Sequence, residues 1–190
     1  MKKWKFRSRS VLSVFLILIV ILPIDAAFAW DKDVVDLFAR LPIQDGGRVK
    51  PLNTYAMFML MQLSGRRTCT NPDGEKTDAI VWLLDCLFEP DIASEYKVFR
   101  VENSEVLSAV GLATRKKRDN YSYAELVLVR DKLIELGRQF SEKKDRERTA
   151  IERETVALAI NIRVFENIVA FTEFTQERFD ISASQSLAGL

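Results

Sequence analysis

The sequence predicts a mainly α-helical single domain that has a small β-hairpin or strand element and ends in a long helical hairpin. Three observations support this fold class. Apolar residues recur at spacings of three and four in several segments, which is typical of amphipathic helices. Asp45, Gly46 and Gly47 form the strongest turn signal, because Asp-Gly and Gly-Gly supply the positive φ angles of tight hairpins. The charged segment 141–148 separates two long apolar stripes.

The first elements follow from local pattern. A short amphipathic helix is predicted over residues 33–41. The two arms of the Gly-Gly turn are predicted to be short strands, and Asn53 or Thr54 is predicted to cap a helix that reaches about Leu63. That helix is apolar nearly all round, which predicts that it is buried.

The middle of the chain alternates between turn-forming and apolar segments. Residues 64–76 are rich in Gly, Asn-Pro and Asp-Gly, which predicts a surface loop. A second apolar helix is predicted over about 77–88, antiparallel to the first. Residues 96–101 alternate with period two, which predicts a strand. A short helix follows, and Gly111 ends it.

The C-terminal part, about residues 122–178, is predicted to be a helical hairpin. Ser122 and Glu125 have the spacing of a capping box. The segment 141–148 carries charges of both signs, which favours a solvated turn. The alternative is one unbroken helix of about 50 residues, which the usual length of globular helices disfavours.

The N-terminal segment predicts export. Five positive charges in the first ten residues precede an apolar run over 11–24, and Ala27 and Ala29 suit a signal peptidase. Residues 1–29 are therefore predicted to be a signal peptide, and the alternative is an uncleaved anchor. The domain of residues 30–190 is then extracytoplasmic: periplasmic and soluble after cleavage, or anchored by its N-terminus to the outer face of the cytoplasmic membrane.

Composition excludes several functions. Taking away the five bases and one acid of residues 1–29 leaves 23 Lys and Arg against 26 Asp and Glu, whereas nucleic-acid-binding proteins carry a basic surplus. The chain contains no histidine, which removes the commonest general base, metal ligand and axial haem ligand. No other catalytic constellation is recognisable. The sequence therefore predicts a protein that is not an enzyme, holds no metal and binds no cofactor through histidine.

The two cysteines and one acidic residue leave alternatives open. Cys69 and Cys86 are 17 residues apart in a predicted exported protein, where a disulfide can form. The apolar neighbours of Cys86 favour a free buried thiol instead. Asp85 is predicted to lie near the solvent boundary of its helix, and the alternative is a buried and paired carboxylate. Core packing is predicted for five aromatic residues: Trp82, Phe88, Phe165, Phe171 and Phe174.

The candidate binding site is the segment 41–56, LPIQDGGRVKPLNTYA. Arg48 and Lys50 are two residues apart, so a strand places them on one face. Two cations beside a Gly-Gly turn could bind a carboxylate or a phosphate; the alternative is a structural hairpin with a solvated basic face. The predicted site residues are Asp45, Gly46, Gly47, Arg48, Lys50 and Asn53.

The segment also carries a family resemblance. Its pattern G-G-R-[IV]-x-P-[LV]-[DN]-T, preceded by P-[IV]-x-D, resembles the extracytoplasmic region ahead of the membrane-spanning part of system II cytochrome c biogenesis proteins of the CcsA/ResC type. Further similar segments follow in the same order, so the resemblance covers about residues 34–175. They are WLLD at 82–85, YKVFRV at 96–101 and YSYAEL at 121–126.

The resemblance implies a function and partners. Members of that family pass haem across the membrane with transmembrane helices, a W-W-D loop and histidines, and this sequence has neither W-W-D nor histidine. The resemblance therefore implies that this protein is an accessory or scaffold module, which meets haem only through a partner protein. The implied partners are an integral CcsA/ResC-like protein, a ResB-like protein and apocytochrome c. The alternatives are a histidine-free periplasmic enzyme or anion-binding protein that uses Arg48 and Lys50, and a purely structural helical protein.

Overall fold

The computed structural model describes residues 30–178, with side chains up to residue 171. The described residues from Asp31 onward form one compact unit. The predicted signal segment, residues 1–29, and the side chain of Phe174 lie outside the described residues. No helix within residues 30–178 has the length and apolar content that crossing a membrane requires.

The fold is mainly helical with three small antiparallel strand pairs, which confirms the predicted class of a mainly α domain with a small β element. The helices are α1 Lys32–Arg40, α2 Leu52–Ser64, α3 Ala79–Phe88, α4 Pro90–Glu95, α5 Glu105–Val110, α6 Tyr123–Leu126, α7 Arg130–Ser141 and α8 Ala150–Arg178. Short 3-10 turns occupy Val127–Val129 and Asp145–Glu147. The strands are β1 Pro42–Asp45, β2 Arg48–Pro51, β3 Thr68–Thr70, β4 Lys76–Asp78, β5 Phe99–Val101 and β6 Asp119–Tyr121.

Segment 64–76 corrects the prediction of a surface loop, because a second hairpin forms there. β3 pairs with β4, and Thr70 lies opposite Lys76. The connecting turn is closed locally: the Glu75 N–H donates to Asn71 Oδ1 at 2.7 Å, and Gly74 adopts a positive φ of 92°. Strands of three residues are too short for alternation to be detected in the sequence.

Helix α2 corrects two details of the prediction. It begins at Leu52, directly after Pro51, so neither Asn53 nor Thr54 caps it. Pro51 ends strand β2 and has a φ of −61°, which leads the chain straight into a helix. The helix is also buried on one face only, because Phe58 is 56% exposed.

The C-terminal helical hairpin is confirmed. Ser122 and Glu125 form the predicted capping box, with Ser122 N–H donating to Glu125 Oε2 at 2.8 Å. The charged segment forms the turn between α7 and α8. Arg148 closes this turn by donating from Nε to the Phe140 carbonyl and from Nη2 to the Ser141 carbonyl, both at 2.8 Å, so carbonyls at the end of α7 gain charged donors.

Helix α8 lies at the centre of the fold and packs against α7, α3, α5 and β5. Leu158, Ile162 and Phe165 form its buried stripe. The Phe165 ring packs edge-on against Phe99, with ring centroids 5.6 Å apart, and lies 4.9 Å from the Tyr123 ring. These aromatic contacts join α8 to β5 and α6.

Asp85 corrects the prediction of a solvent-boundary carboxylate. It is buried, with 5% exposure, because the face of α3 that carries it also packs into the core. The Tyr96 hydroxyl donates to Asp85 Oδ2 at 2.5 Å. Burial and this hydrogen bond raise the pKa of Tyr96, so the phenol remains protonated at neutral pH and keeps donating.

Helices α7 and α8 approach closely at Gly137. A Cβ atom at this position would lie 2.5 Å from the Ala159 Cβ, well inside van der Waals contact. Glycine is therefore required here by packing, although it is a poor helix former.

The Gly137→Ala variant tests this close approach. Alanine favours a helix by up to about 1 kcal/mol, but overpacking costs about 1–3 kcal/mol, so we expect a net loss of unfolding free energy. Urea denaturation measures it. The double variant Gly137→Ala with Ala159→Gly removes the opposing methyl. We expect its loss of unfolding free energy to be smaller than the sum of the losses of the two single variants. A Gly137→Ala protein as stable as the parent would contradict the packing.

Two buried tyrosines provide a matched test of the Asp85 hydrogen bond. Tyr121 is as buried as Tyr96, but its hydroxyl has no hydrogen-bond partner among the described residues. We expect Tyr96→Phe to lower the unfolding free energy by about 1–3 kcal/mol, because it removes a hydrogen bond to a buried carboxyl group. We expect Tyr121→Phe to be neutral or stabilising, as judged by thermal and urea denaturation. Equal losses of unfolding free energy for the two variants would contradict the hydrogen bond between Tyr96 and Asp85.

Candidate functional site

The predicted Gly-Gly hairpin forms and is held at its base. Gly46 and Gly47 have φ angles of 57° and 76°. Two successive positive φ angles are typical of a two-residue type I′ turn, whose twist suits paired strands. At the open end, the Leu52 N–H donates to the Leu41 carbonyl at 2.8 Å. The hairpin is thereby fixed between the end of α1 and the beginning of α2.

The charge of Lys50 is partly neutralised within the hairpin. Its Nζ donates to Asp45 Oδ2 at 2.7 Å and lies 5.2 Å from the centroid of the Phe58 ring. A carboxylate and an aromatic face both stabilise an ammonium group. Lys50 therefore connects the hairpin to α2.

The tip of the hairpin is open to solvent. The Arg48 side chain is exposed and forms no hydrogen bond or ion pair with another described residue, and Val49 is 71% exposed. Asn53 lies half-buried in the first turn of α2. The structure thus brings five predicted residues together on the hairpin, with Asn53 beside them. Arg48 and Lys50 line neither of the two cavities described for this protein.

A groove of about 390 Å³ adjoins the hairpin. It lies between β1, α2, α3 and α8, and Asp45 is the only charged residue among the described residues that line it. It is lined by Ile43, Asp45, Leu52, Tyr55, Met59, Gln62, Leu83, Leu87, Val164, Asn167, Ile168 and Phe171. Burial, and to a smaller extent the Asp45 carboxylate, raise the pKa of Tyr55. The groove is therefore an apolar surface with one negative charge at its hairpin side.

The far wall of the groove comes from α8, which sequence reasoning did not connect with the hairpin. Val164, Ile168 and Phe171 repeat at spacings of four and three along one side of this helix, and that spacing was the available signal. Phe171 corrects the prediction of core packing, since it is 63% exposed at the groove. Phe88 is likewise 43% exposed, because it is the last residue of α3, and its ring packs against Phe38.

The two cysteines are free thiols in the structure. Cys69 lies on β3, where its Sγ approaches the Thr77 carbonyl at 3.9 Å, and Cys86 is fully buried on α3. Burial first, and then the nearby Asp85 carboxylate, raise the pKa of Cys69 to about 12. The same causes raise the pKa of Cys86. Both thiols are therefore poor nucleophiles at neutral pH.

Within the described residues, no group of three or more Cys, Asp or Glu side chains is arranged to hold a metal ion. Comparison of the chain with protein-family models, with curated proteins and with solved structures gave no match.

The reactivity of Cys69 gives a direct test of its surroundings. At pH 8, a pKa of about 12 leaves about a thousandth of the thiolate that a cysteine of ordinary pKa has, and the thiolate is the reactive species. We expect iodoacetamide to alkylate the reduced native protein slowly, with the rate rising up to about pH 12. Mass spectrometry measures it, and protein unfolded in urea is the fast-reacting control. Stoichiometric labelling of native Cys69 within minutes at pH 8 would contradict the burial.

Proposed function

We propose that this chain is an accessory or scaffold module of a cytochrome c assembly complex on the outer side of the cytoplasmic membrane. In this proposal it binds an integral CcsA/ResC-like protein, and a ResB-like protein and apocytochrome c belong to the same complex. The observation that carries the proposal is the apolar groove beside the Gly-Gly-Arg hairpin. The resemblance of residues 34–175 to the extracytoplasmic region of that family supplies the identity of the partner.

The groove has the composition of a protein-binding surface. Eight of its lining residues have fully apolar side chains: Ile43, Leu52, Met59, Leu83, Leu87, Val164, Ile168 and Phe171. A well-packed apolar centre with few charges is typical of the buried part of an interface. Phe171 is large and largely exposed, so a partner that covers it gains apolar burial at about 25 cal/mol per Å².

The hairpin tip supplies the polar edge of the same surface. Arg48 forms no ion pair with another described residue, and arginine is enriched among the residues that contribute most to binding. Lys50 is held by Asp45, so Arg48 is the cation of this hairpin that is available to an acidic partner residue.

Binding rather than catalysis is proposed because the chain has no histidine and because both thiols are kept protonated by raised pKa values. Haem is accordingly assigned to the membrane partner.

A charge introduced at the groove tests the proposal. In a strain that lacks the gene, we expect c-type cytochromes to lose covalent haem, and the wild-type chain to restore it. We expect Phe171→Asp not to restore it and to reduce co-purification of the membrane assembly protein at least tenfold, because a buried unpaired carboxylate opposes binding. Haem staining after denaturing electrophoresis and capture by a tagged chain are the two measurements.

Leu128→Asp is the matched control, because Leu128 is 80% exposed on the 3-10 turn Val127–Val129, outside the groove. We expect this variant to behave as wild type. Normal covalent haem in the deletion strain would reject the proposal. A purely structural role predicts that both variants restore haem equally.

A further inference from the structure

A second cavity, of about 440 Å³, lies on a different part of the described structure. It is formed where the β3–β4 hairpin meets the end of α2, the segment before β5, and β6. Its lining residues are Ser64, Arg66, Thr68, Cys69, Thr70, Lys76, Lys97 and Asn120. The hairpin that builds much of its wall is the one that sequence analysis predicted to be a loop.

The charged residues that line this cavity are all cations. Arg66, Lys76 and Lys97 contribute three positive charges, and none of the described residues that line the cavity carries a carboxylate. None of the three forms an ion pair with another described residue, whereas the neighbouring Arg100 is paired with Glu102 at 2.5 Å. Beyond residue 29 the chain has more acidic than basic residues. A cavity with three unneutralised bases and no acid therefore departs from the charge balance of its surroundings.

Neutral hydrogen-bonding groups lie beside these cations. Thr68 and Thr70 are two residues apart on β3, so they share one strand face, and Thr70 is paired across the strands with Lys76. The side chains of both threonines and of Asn120 form no hydrogen bond with another described residue. The Ser64 hydroxyl, by contrast, donates to the Leu60 carbonyl at 2.8 Å. Two hydroxyls and one amide are thus available to a ligand.

The end of α2 opposes an anion, because a helix C-terminus carries a partial negative charge. Near this end, the Met61 carbonyl accepts from the Gly65 N–H at 2.9 Å, and the Leu60 carbonyl accepts from the Ser64 hydroxyl at 2.8 Å.

The Asp85 and Asp78 carboxylates oppose an anion as well, since both act electrostatically on the lining residue Cys69. The three cations line the cavity itself, whereas neither of these carboxylates does, so the charge that a ligand meets at the cavity wall is positive.

We infer that this cavity binds a small anion that carries phosphate groups, with Arg66, Lys76 and Lys97 balancing its charge and Thr68 and Thr70 donating to its oxygens. Arginine suits phosphate because its planar donors match the oxygens, and lysine binds it as a point charge. The volume of the cavity lies within the range typical of small-molecule sites, about 300–1,000 Å³. The cavity therefore has room for more than one phosphate group. The site is separate from the groove of the proposed function.

Isothermal titration with pyrophosphate tests the inference on the full chain from Trp30 onward at about 0.1 M salt. We expect saturable binding, and Arg66→Gln and Lys76→Gln each to weaken it about tenfold. Arg67→Gln is the matched control, because it makes the same change one residue along, at an exposed side chain that does not line the cavity. We expect it to bind as wild type, and circular dichroism checks that all variants are folded.

Three outcomes would overturn the inference. The first is the absence of saturable pyrophosphate binding at millimolar concentration. The second is an equal loss for Arg66→Gln and Arg67→Gln, since that indicates diffuse surface charge rather than a site. The third is tighter binding of citrate than of pyrophosphate, which would assign the cavity to carboxylates.

Discussion

Burial of the apolar stripe on α8 is the interaction on which the rest of this structure depends. Leu158, Ile162 and Phe165 face α7, α3, α5 and β5 along one helix, and the other elements are short helices or strand pairs of three or four residues. Isolated two-stranded hairpins and short helices are marginal in water. Each of these elements is stable because it covers part of a shared core, and α8 supplies the longest surface of that core.

Two carboxylates of α8 fix the positions of the neighbouring segments that pack against this helix. Glu166 accepts from Arg130 Nε at 2.5 Å and from the Tyr123 hydroxyl at 2.8 Å, and the Arg130 hydrogen bonds lower the pKa of Glu166. Glu154 accepts from the backbone N–H groups of Glu102 and Asn103, so it holds the end of β5. Apolar burial is not directional, whereas these bonds are, and they select one arrangement of loops around the helix.

The same helix explains why the two candidate surfaces differ in character. Its outer edge, with Val164, Ile168 and Phe171, completes an apolar groove beside the Gly-Gly hairpin. The other cavity is formed by the β3–β4 hairpin and the segment around β5 and β6, and polar and basic side chains line it. One surface thus has the composition of a protein interface and the other that of a small-anion site. The two functions inferred for them do not depend on each other.

The sequence by itself determined the features that depend on local conformation. The Gly46-Gly47 turn, the Ser122 capping box and the turn at 141–148 follow from φ preferences, short-range hydrogen bonds and charge, and the mainly helical class follows from periodicity. Only the tertiary structure decided the burial of Asp85, the exposure of Phe171, and the meeting of α8 with a hairpin more than 100 residues earlier. It also decided that Lys50 is held by Asp45, and that the cations lining a cavity are Arg66, Lys76 and Lys97. The physical reason is that burial and electrostatic pairing depend on which distant segments come into contact, and residue spacing along the chain does not encode that.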